Sequence, residues 1–129
     1  MEPEPIQTDE APKAVAAYAQ AVRANGFIFL SGQIPLDPAT GQLVEGDVSV
    51  QARRVMDNLA AVLRAAGSDF SRVAKATIYL TNMEDFAKVN DVYASYFTAT
   101  SKPARAAIAV SALPRGARVE IEMIALDRG

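Results

Sequence analysis

The sequences PARAAIAV (residues 103–110) and VEIEMI (residues 119–124) form two strand-like segments on either side of the turn sequence LPRG. Side chains alternate between the two faces of a strand, so Glu120 and Glu122 share one face of the second segment. Both segments place charge among small or apolar neighbours, at Arg105 in the first and at Glu120 in the second. Because burying an unpaired charge is costly, this pattern indicates either a solvated face or a small, partly dry anion site.

Composition limits the classes of protein to which this chain can belong. With 129 residues, it has the size of a single domain, residues 1–129, with one core. Half of the residues are apolar and the net charge is −2, which is typical of a soluble globular protein and disfavours a disordered or nucleic-acid-coating chain. The absence of cysteine and histidine excludes disulfides, thiolate nucleophiles, histidine bases and nearly every zinc or haem site. We therefore expect no metal site.

The N-terminal sequence MEPEP is acidic and proline-rich, and it lacks the features of a targeting signal. The chain also has no run of about 18 consecutive apolar residues. These features predict a cytoplasmic protein without a membrane segment. Residues 1–14 are expected to form a loose N-terminal arm, because the Pro–Glu steps disfavour helix and no core-facing period appears.

The rest of the chain alternates between strand and helix patterns. Asn25-Gly26 predicts a β-hairpin, and apolar residues at three- and four-residue steps predict a helix over residues 48–66, capped by Asp47 or Ser49. A second helix is expected after the capping residue Asn82. The strand between the two helices is predicted to place one set of side chains on one face: Ala74, Ala76, Ile78 and Leu80.

The predicted order is strand, strand, helix, strand, helix, strand, strand. This order indicates an α+β fold with a single sheet and both helices on one face. The other face is expected to expose Ala107, Ala109 and one set of side chains from residues 119–125. Because a monomer would leave them as an exposed apolar patch, we predict a closed homo-oligomer that associates through this face.

Arg105 and Glu120 are the main candidates for chemistry. The planar guanidinium of Arg105 suits a carboxylate or phosphate, and its small neighbours Ala104, Ala106 and Ala107 would exclude water from that contact. The alternative for Arg105 is a surface or inter-subunit ion pair. Glu120 could serve as an acid or base if a partly dry pocket raises its pKa, or it could simply be solvated.

Three further residues have two possible interpretations each. Tyr18 could donate a hydrogen bond to a substrate or pack as a half-buried phenol. Gly32 could form a simple turn or open a place where a ligand meets main-chain N–H groups. Asn90, beside the apolar stripe of the second helix, could cap polar backbone or reach the site and bind substrate.

Motifs along nearly the whole chain carry a family resemblance. They include Pro103-Ala104-Arg105, Leu113-Pro114 and Val119–Glu122. The other segments are Tyr18–Ala21, Ser31–Pro35, Gln51–Arg53, Asp57–Leu59, Asp85-Phe86, Val89-Asn90 and Tyr93. Together these motifs resemble the signature of the RidA (YjgF) family of reactive-intermediate deaminases.

The resemblance implies a chorismate-mutase-like fold assembled as a homotrimer, with three sites in the clefts between subunits. It implies hydrolysis of 2-imino acids and their enamines, such as 2-iminopropanoate and 2-iminobutanoate, to 2-keto acids and ammonia without a cofactor. Arg105 would bind the substrate carboxylate, and Glu120 would position or activate the attacking water. Tyr18, Gly32 and the backbone at Ala107 would line the cleft.

Two positions depart from the family pattern. Ala16-Ala17 stands where many relatives have Gly-Pro, which affects the loop that aims Tyr18. Ala107 stands where many relatives have cysteine, so regulation through a thiol is excluded there.

Two other functions compete with the deaminase. A non-catalytic trimer that binds small carboxylate metabolites would keep Arg105 but tolerate loss of Glu120. Some relatives are credited with ribonuclease activity, but the net negative charge and the lack of an aromatic–basic stripe disfavour binding of nucleic acid.

Overall fold

A computed structural model describes residues 2–128, and within them the chain forms one six-stranded sheet with two α-helices. The strands are β1 (Glu4–Ile6), β2 (Ala21–Ala24), β3 (Phe27–Gln33), β4 (Val73–Leu80), β5 (Ala104–Ala109) and β6 (Val119–Leu126), and the helices are α1 (Val48–Ala65) and α2 (Phe86–Ser95). The order across the sheet is β1-β2-β3-β6-β4-β5, and only β4 and β5 are parallel. The predicted α+β architecture with a single sheet is confirmed.

The helices lie side by side on one face of the sheet, as predicted. α1 contacts α2, β3 and β6, and both helices contribute to one core. Strand β6 alternates along its length: its odd-numbered residues from Val119 to Ala125 are buried against the helices, and the residues between them face the open side. Among the described residues, neither helix combines the length and apolar character needed to span a bilayer.

Two local signals act where the sequence predicts them. The Asp47 side chain accepts hydrogen bonds from the backbone N–H groups of Ser49 (3.0 Å) and Val50 (3.1 Å), and so caps the N-terminus of α1. Asn25 and Gly26 have φ angles of 52° and 85°, as required by the tight turn of a hairpin whose strands twist to the right. The predicted β2–β3 hairpin is therefore confirmed.

The prediction of a loose N-terminal arm is wrong for most of its length; Met1 lies outside the described residues. Strand β1 pairs with β2 as an edge strand, where a proline is tolerated, and Ile6 is buried. The buried side chain of Gln20 then holds the following segment. It accepts a hydrogen bond from Thr8 N (2.8 Å) and donates to the carbonyls of Thr8 (3.1 Å) and Pro12 (2.8 Å). Such side-chain bonds to backbone have no sequence period, so pattern analysis missed them.

Two predictions about the side of the sheet on which residues lie are also wrong. Ala74 is exposed because a register shift in β4 interrupts the alternation there. Ala107 and Ala109 were predicted on the open face, but their parallel partners are the buried Ile78 and Leu80. Paired residues of neighbouring strands point to the same side, so both alanines lie on the helix side.

One ion pair joins the starts of α2 and β6. Asn82 caps a short 3₁₀ turn, by accepting a hydrogen bond from Glu84 N at 2.9 Å, and this turn leads into α2. At its end, the buried Asp85 receives two hydrogen bonds from Arg118 Nη2, at 2.9 and 3.1 Å. The backbone N–H of Arg118 donates to Gln51 Oε1 at 2.9 Å. The elements that carry the candidate residues are therefore fixed to α1 and to each other.

Candidate functional site

Arg105 lies on the edge strand β5 and faces the helix side, because its parallel partner in β4 is the buried Ala76. Its Nη1 atom donates a hydrogen bond to Asn90 Oδ1 at 2.6 Å. Its guanidinium carbon lies 5.3 Å from the centroid of the Phe86 ring and 5.1 Å from that of Tyr93, within cation–π range. The predicted surround of small alanines is wrong in part, because adjacent residues of a strand point away from the guanidinium. Its environment is aromatic.

A cavity of about 430 Å³ opens between α2 and the segment that leads into β5. This volume is within the range of small-molecule pockets. Its wall is formed by Asn90, Tyr93, Ala94, Phe97, Lys102, Pro103 and Arg105, and none of these side chains is acidic. With two cations and several apolar groups in the wall, the cavity is suited to a small organic anion.

Glu120 lies on β6 and faces the open side of the sheet, where its antiparallel partner in β4 is Tyr79. Gly32 of the neighbouring strand β3 lies against it. A Cβ atom at position 32 would be 2.1 Å from Glu120 Oε2 and 2.9 Å from Cδ. The carboxylate therefore occupies the space that a side chain would fill, and Gly32 serves this close approach within a strand rather than the simple turn that was one prediction.

The pKa of Glu120 is raised above its ordinary value of 4.5. Burial is the larger cause because it disfavours the charged form, and the negative charge of Glu122 adds to it. Glu122 accepts a hydrogen bond from the Tyr79 hydroxyl at 3.0 Å; burial, and secondly this bond, raise the pKa of Tyr79. Glu120 thus has the partly dry setting in which a carboxylate becomes a better proton acceptor.

Tyr18 is 52% exposed. The segment that follows it is fixed to β3, because the Ser31 hydroxyl donates to the carbonyl of Ala19 at 2.6 Å and Ser31 N donates to the carbonyl of Gln20 at 3.0 Å. Tyr18 itself lines a cavity with residues 5–8, 13–14 and 19–20, and the wall of that cavity includes neither Gly32 nor Glu120. The role of its hydroxyl stays a prediction.

Within one chain, the candidate residues therefore form two separate groups. The Arg105 group consists of Arg105, Asn90 and Ala107, on the helix side at the edge of the sheet. The Glu120 group consists of Glu120 and Gly32, on the open side, and Tyr18 lies in the segment before β2. A single chain does not bring the guanidinium and the carboxylate around one ligand, and their meeting between subunits stays a prediction.

From the sequence, Phe86 and Tyr93 are named only within the family motifs and are given no part in the site. A usable signal exists, because Phe86, Asn90 and Tyr93 recur at steps of four and three residues and such positions share one helix face. Two aromatic residues on the same face as a candidate polar residue indicate a place for a cation as well as a core stripe.

The geometry can now be compared with known proteins. A family model described as Endoribonuclease L-PSP matches residues 8–127. The chain belongs to this family. It is the RidA/YjgF/RutC family, so the resemblance found in the sequence motifs is confirmed.

The L-PSP proteins that are similar to this chain carry several different names. Protein DfrA of Myxococcus xanthus is 59% identical over 124 residues, which cover 95% of this chain and 94% of that protein. The mouse protein named 2-iminobutanoate/2-iminopropanoate deaminase is 51% identical over 122 residues, which cover 95% and 90%. A crystal structure of a Rid-family protein from Yersinia pestis has a TM-score of 0.94 at 48% identity, with coverage of 97% and 99%. The last comparison establishes that this L-PSP chain shares its α+β fold with solved members.

Proposed function

We propose that this protein is a cofactor-independent deaminase that hydrolyses short 2-imino acids and their enamines to 2-keto acids and ammonia. The observation that carries the proposal is the environment of the Arg105 guanidinium. Its guanidinium lies at a cavity without acidic wall residues, and one side chain, Asn90, takes a hydrogen bond from Nη1. Among the described residues, Nε and Nη2 have no acceptor, so they remain as a fork for a substrate carboxylate. The mouse relative's name points to the same class of substrate.

The chemistry needs few protein groups. The carbon of a protonated imine is electrophilic, and water attacks it while Glu120 takes one proton from that water. Glu120 returns this proton to the nitrogen of the resulting carbinolamine. Ionised again, it takes the proton of the carbinolamine hydroxyl as the C=O bond forms, the C–N bond breaks and ammonia leaves. Arg105 fixes the carboxylate throughout, so the reaction relies on proximity and one base. Gly32, Tyr18 and the backbone at Ala107 line the site.

The separation of the two groups implies that a site needs two chains. We propose a closed homotrimer in which the Arg105 group of one protomer faces the Glu120 group of its neighbour, giving three sites. The open face of the sheet supports such an assembly. Large apolar side chains lie exposed on it, each between 38% and 45% accessible: Phe27, Phe29, Ile108 and Leu126. Association would remove this apolar area from water.

A trapping assay tests the activity. An amino-acid oxidase generates 2-iminobutanoate in the presence of semicarbazide, and a deaminase lowers the yield of semicarbazone because it consumes the imine first. We expect the wild-type protein to lower the yield, and both Arg105→Ala and Glu120→Gln to lose most of this effect. Arg64→Ala is the matched control, since it removes an arginine paired with Glu10 at the surface. If Arg105→Ala consumed the imine as fast as wild type, the proposal would be wrong.

The family description supports a second candidate, cleavage of RNA. A chain with a net charge of −2 and no histidine is poorly suited to hold and cleave a polyanion. The same variants separate the two activities and the non-catalytic alternative. Retention and cleavage of RNA that survives Glu120→Gln would favour the nuclease, whereas a carboxylate bound equally well by wild type and Glu120→Gln, without turnover in either, would favour a binding protein.

A further inference from the structure

The guanidinium of Arg105 packs against one face of α2. Phe86, Asn90 and Tyr93 stand at positions i, i+4 and i+7 of that helix, and all three contact Arg105 at the distances given above. The helix itself is anchored, because the Asp85–Arg118 pair holds its start and the Tyr93 ring packs against Phe97 at 4.6 Å between centroids. We call these three residues the α2 cradle.

The α2 cradle holds the guanidinium without neutralising it. In the part of the chain that the structure describes, Arg23, Arg64, Arg118 and Arg128 form ion pairs with carboxylates, whereas Arg105, like Arg53, Arg54, Arg72 and Arg115, forms none. Its partners are instead two aromatic faces and a neutral amide oxygen. An ion pair would orient the group equally well, but it would compete with the carboxylate of a ligand. The α2 cradle therefore leaves the positive charge available.

Contact with two aromatic rings also restricts the orientations open to the guanidinium. A bidentate contact requires two parallel N–H bonds in the plane of the carboxylate, and a long side chain that is free in solution must be ordered before it can make that contact. The Tyr93 hydroxyl is buried without a hydrogen-bond partner among the described residues. The contact that the structure gives Tyr93 at Arg105 is made by its ring.

We propose that Phe86 and Tyr93 are positioning residues that hold the Arg105 guanidinium by their ring faces so that its Nε–Nη2 edge is ready for the substrate carboxylate. This inference rests on the carboxylate-binding role of Arg105 in the proposed function. It assigns to the α2 cradle an effect on affinity: loss of a ring raises KM and the Kd of a keto-acid product, and changes kcat little.

The test measures the Kd of 2-oxobutanoate by calorimetry and the KM and kcat of the trapping assay for ring variants. Phe86→Leu, which keeps an apolar side chain without a ring, is expected to raise both Kd and KM about three- to fivefold, as for a cation–π contact of an exposed arginine. Phe86→Tyr, which keeps an aromatic ring, should bind 2-oxobutanoate nearly as well as wild type. Tyr93→Leu should weaken binding more than Tyr93→Phe does. Arg105→Ala gives the upper limit of the effect.

Phe70→Leu is the matched control. Phe70 is a partly buried aromatic residue that contacts the rings of Tyr96 and Phe97 at 5.5 and 5.2 Å, and it makes no ring contact with Arg105. Its replacement should lower Tm while Kd stays within about twofold of wild type. Equal weakening by Phe70→Leu and Phe86→Leu would overturn the inference, as would unchanged Kd in Phe86→Leu. If the wild-type protein bound 2-oxobutanoate but consumed no imine, the deaminase activity would be rejected. The effect of the α2 cradle on binding would still be tested by the Kd values of the ring variants.

Discussion

The Arg105 group and the Glu120 group hold side chains of opposite charge in environments that act on those charges differently. The charge of Arg105 is not paired with a carboxylate among the described residues, because its neighbours are aromatic rings and an amide. Glu120 loses some of its preference for the charged form, because burial and a second carboxylate raise its pKa. The two groups lie on different sides of one sheet, so they cannot neutralise each other within a chain. In the proposed trimer, each half of the site is preorganised on its own surface and assembly would complete it.

Mixing two inactive variants gives the largest expected effect on this comparison. Arg105→Ala retains an intact Glu120 group and Glu120→Ala retains an intact Arg105 group. If each site combines one group from each of two chains, unfolding and refolding an equal mixture should create active sites. Random assembly gives an intact Arg105 group half of the time and an intact Glu120 group half of the time, so about one quarter of wild-type activity should return.

The trapping assay on the refolded mixture measures this recovery, with each variant refolded alone as the control. Sites built within one chain would give no recovery at any mixing ratio. Light scattering should show a species larger than a monomer at micromolar concentration, and a monomer alone would reject the assembly through the open face.

Gly32→Ala should damage the Glu120 group alone. The new Cβ would lie 2.1 Å from Glu120 Oε2, so the carboxylate must move, and we expect kcat to fall by about 100-fold. Overpacking at this contact should also lower the free energy of unfolding by about 1–3 kcal/mol. Affinity for 2-oxobutanoate should fall less than kcat, since the Arg105 group is untouched.

A double-mutant cycle provides the control for Gly32→Ala. In the Glu120→Ala background the clashing atoms are absent, so adding Gly32→Ala should cost little further stability. Equal costs in both backgrounds, measured by thermal or denaturant unfolding, would show that the backbone rather than the carboxylate requires glycine at this position.

The sequence predicted the fold better than the site, for physical reasons that particular residues illustrate. The Asn25-Gly26 turn, the Asp47 cap and the apolar stripe of α1 are local, so their signals lie in adjacent residues. The contact of Arg105 with Phe86 depends on the parallel pairing of β4 with β5, which no local pattern specifies. The docking of the N-terminal segment on Gln20 escaped for the same reason.

The Gly32–Glu120 contact illustrates a different limit. Both residues were singled out from the sequence, but the reason that they need each other is a distance across two antiparallel strands. Motif resemblance brought the six candidate residues together as a list. It did not indicate that Arg105 and Glu120 would lie on different faces of one sheet.

Asn90→Asp should weaken the Arg105 group by a smaller factor. An aspartate would accept the same hydrogen bond from Nη1, which is 2.6 Å long, and would add a negative charge beside the guanidinium. Because that charge competes with the substrate carboxylate, we expect KM to rise about tenfold with little change in kcat. Steady-state kinetics in the trapping assay measures both constants.

Two comparisons complete the test of Asn90→Asp. The effect of a charge should shrink at high ionic strength, whereas a steric effect should not. Asn82→Asp serves as the control, since Asn82 caps the turn before α2 and an aspartate caps equally well. A KM that did not change in Asn90→Asp would show that the neutral amide is unimportant for carboxylate binding.

The smallest expected effect concerns the pH dependence of the Glu120 group. As a base, Glu120 must be ionised, so kcat/KM should fall as the pH drops through its raised pKa. This acidic limb of the pH profile should lie above the ordinary value of 4.5.

Glu122→Gln removes the second cause of the raised pKa and keeps an acceptor for the Tyr79 hydroxyl. The pKa of Glu120 should then fall, and the limb should move to lower pH without disappearing, because burial, the larger cause, remains. Glu84→Gln, an exposed carboxylate in the turn before α2, should leave the limb in place. A limb that moved to higher pH in Glu122→Gln, or that followed Glu84→Gln instead, would mean that a group other than Glu120 supplies the base.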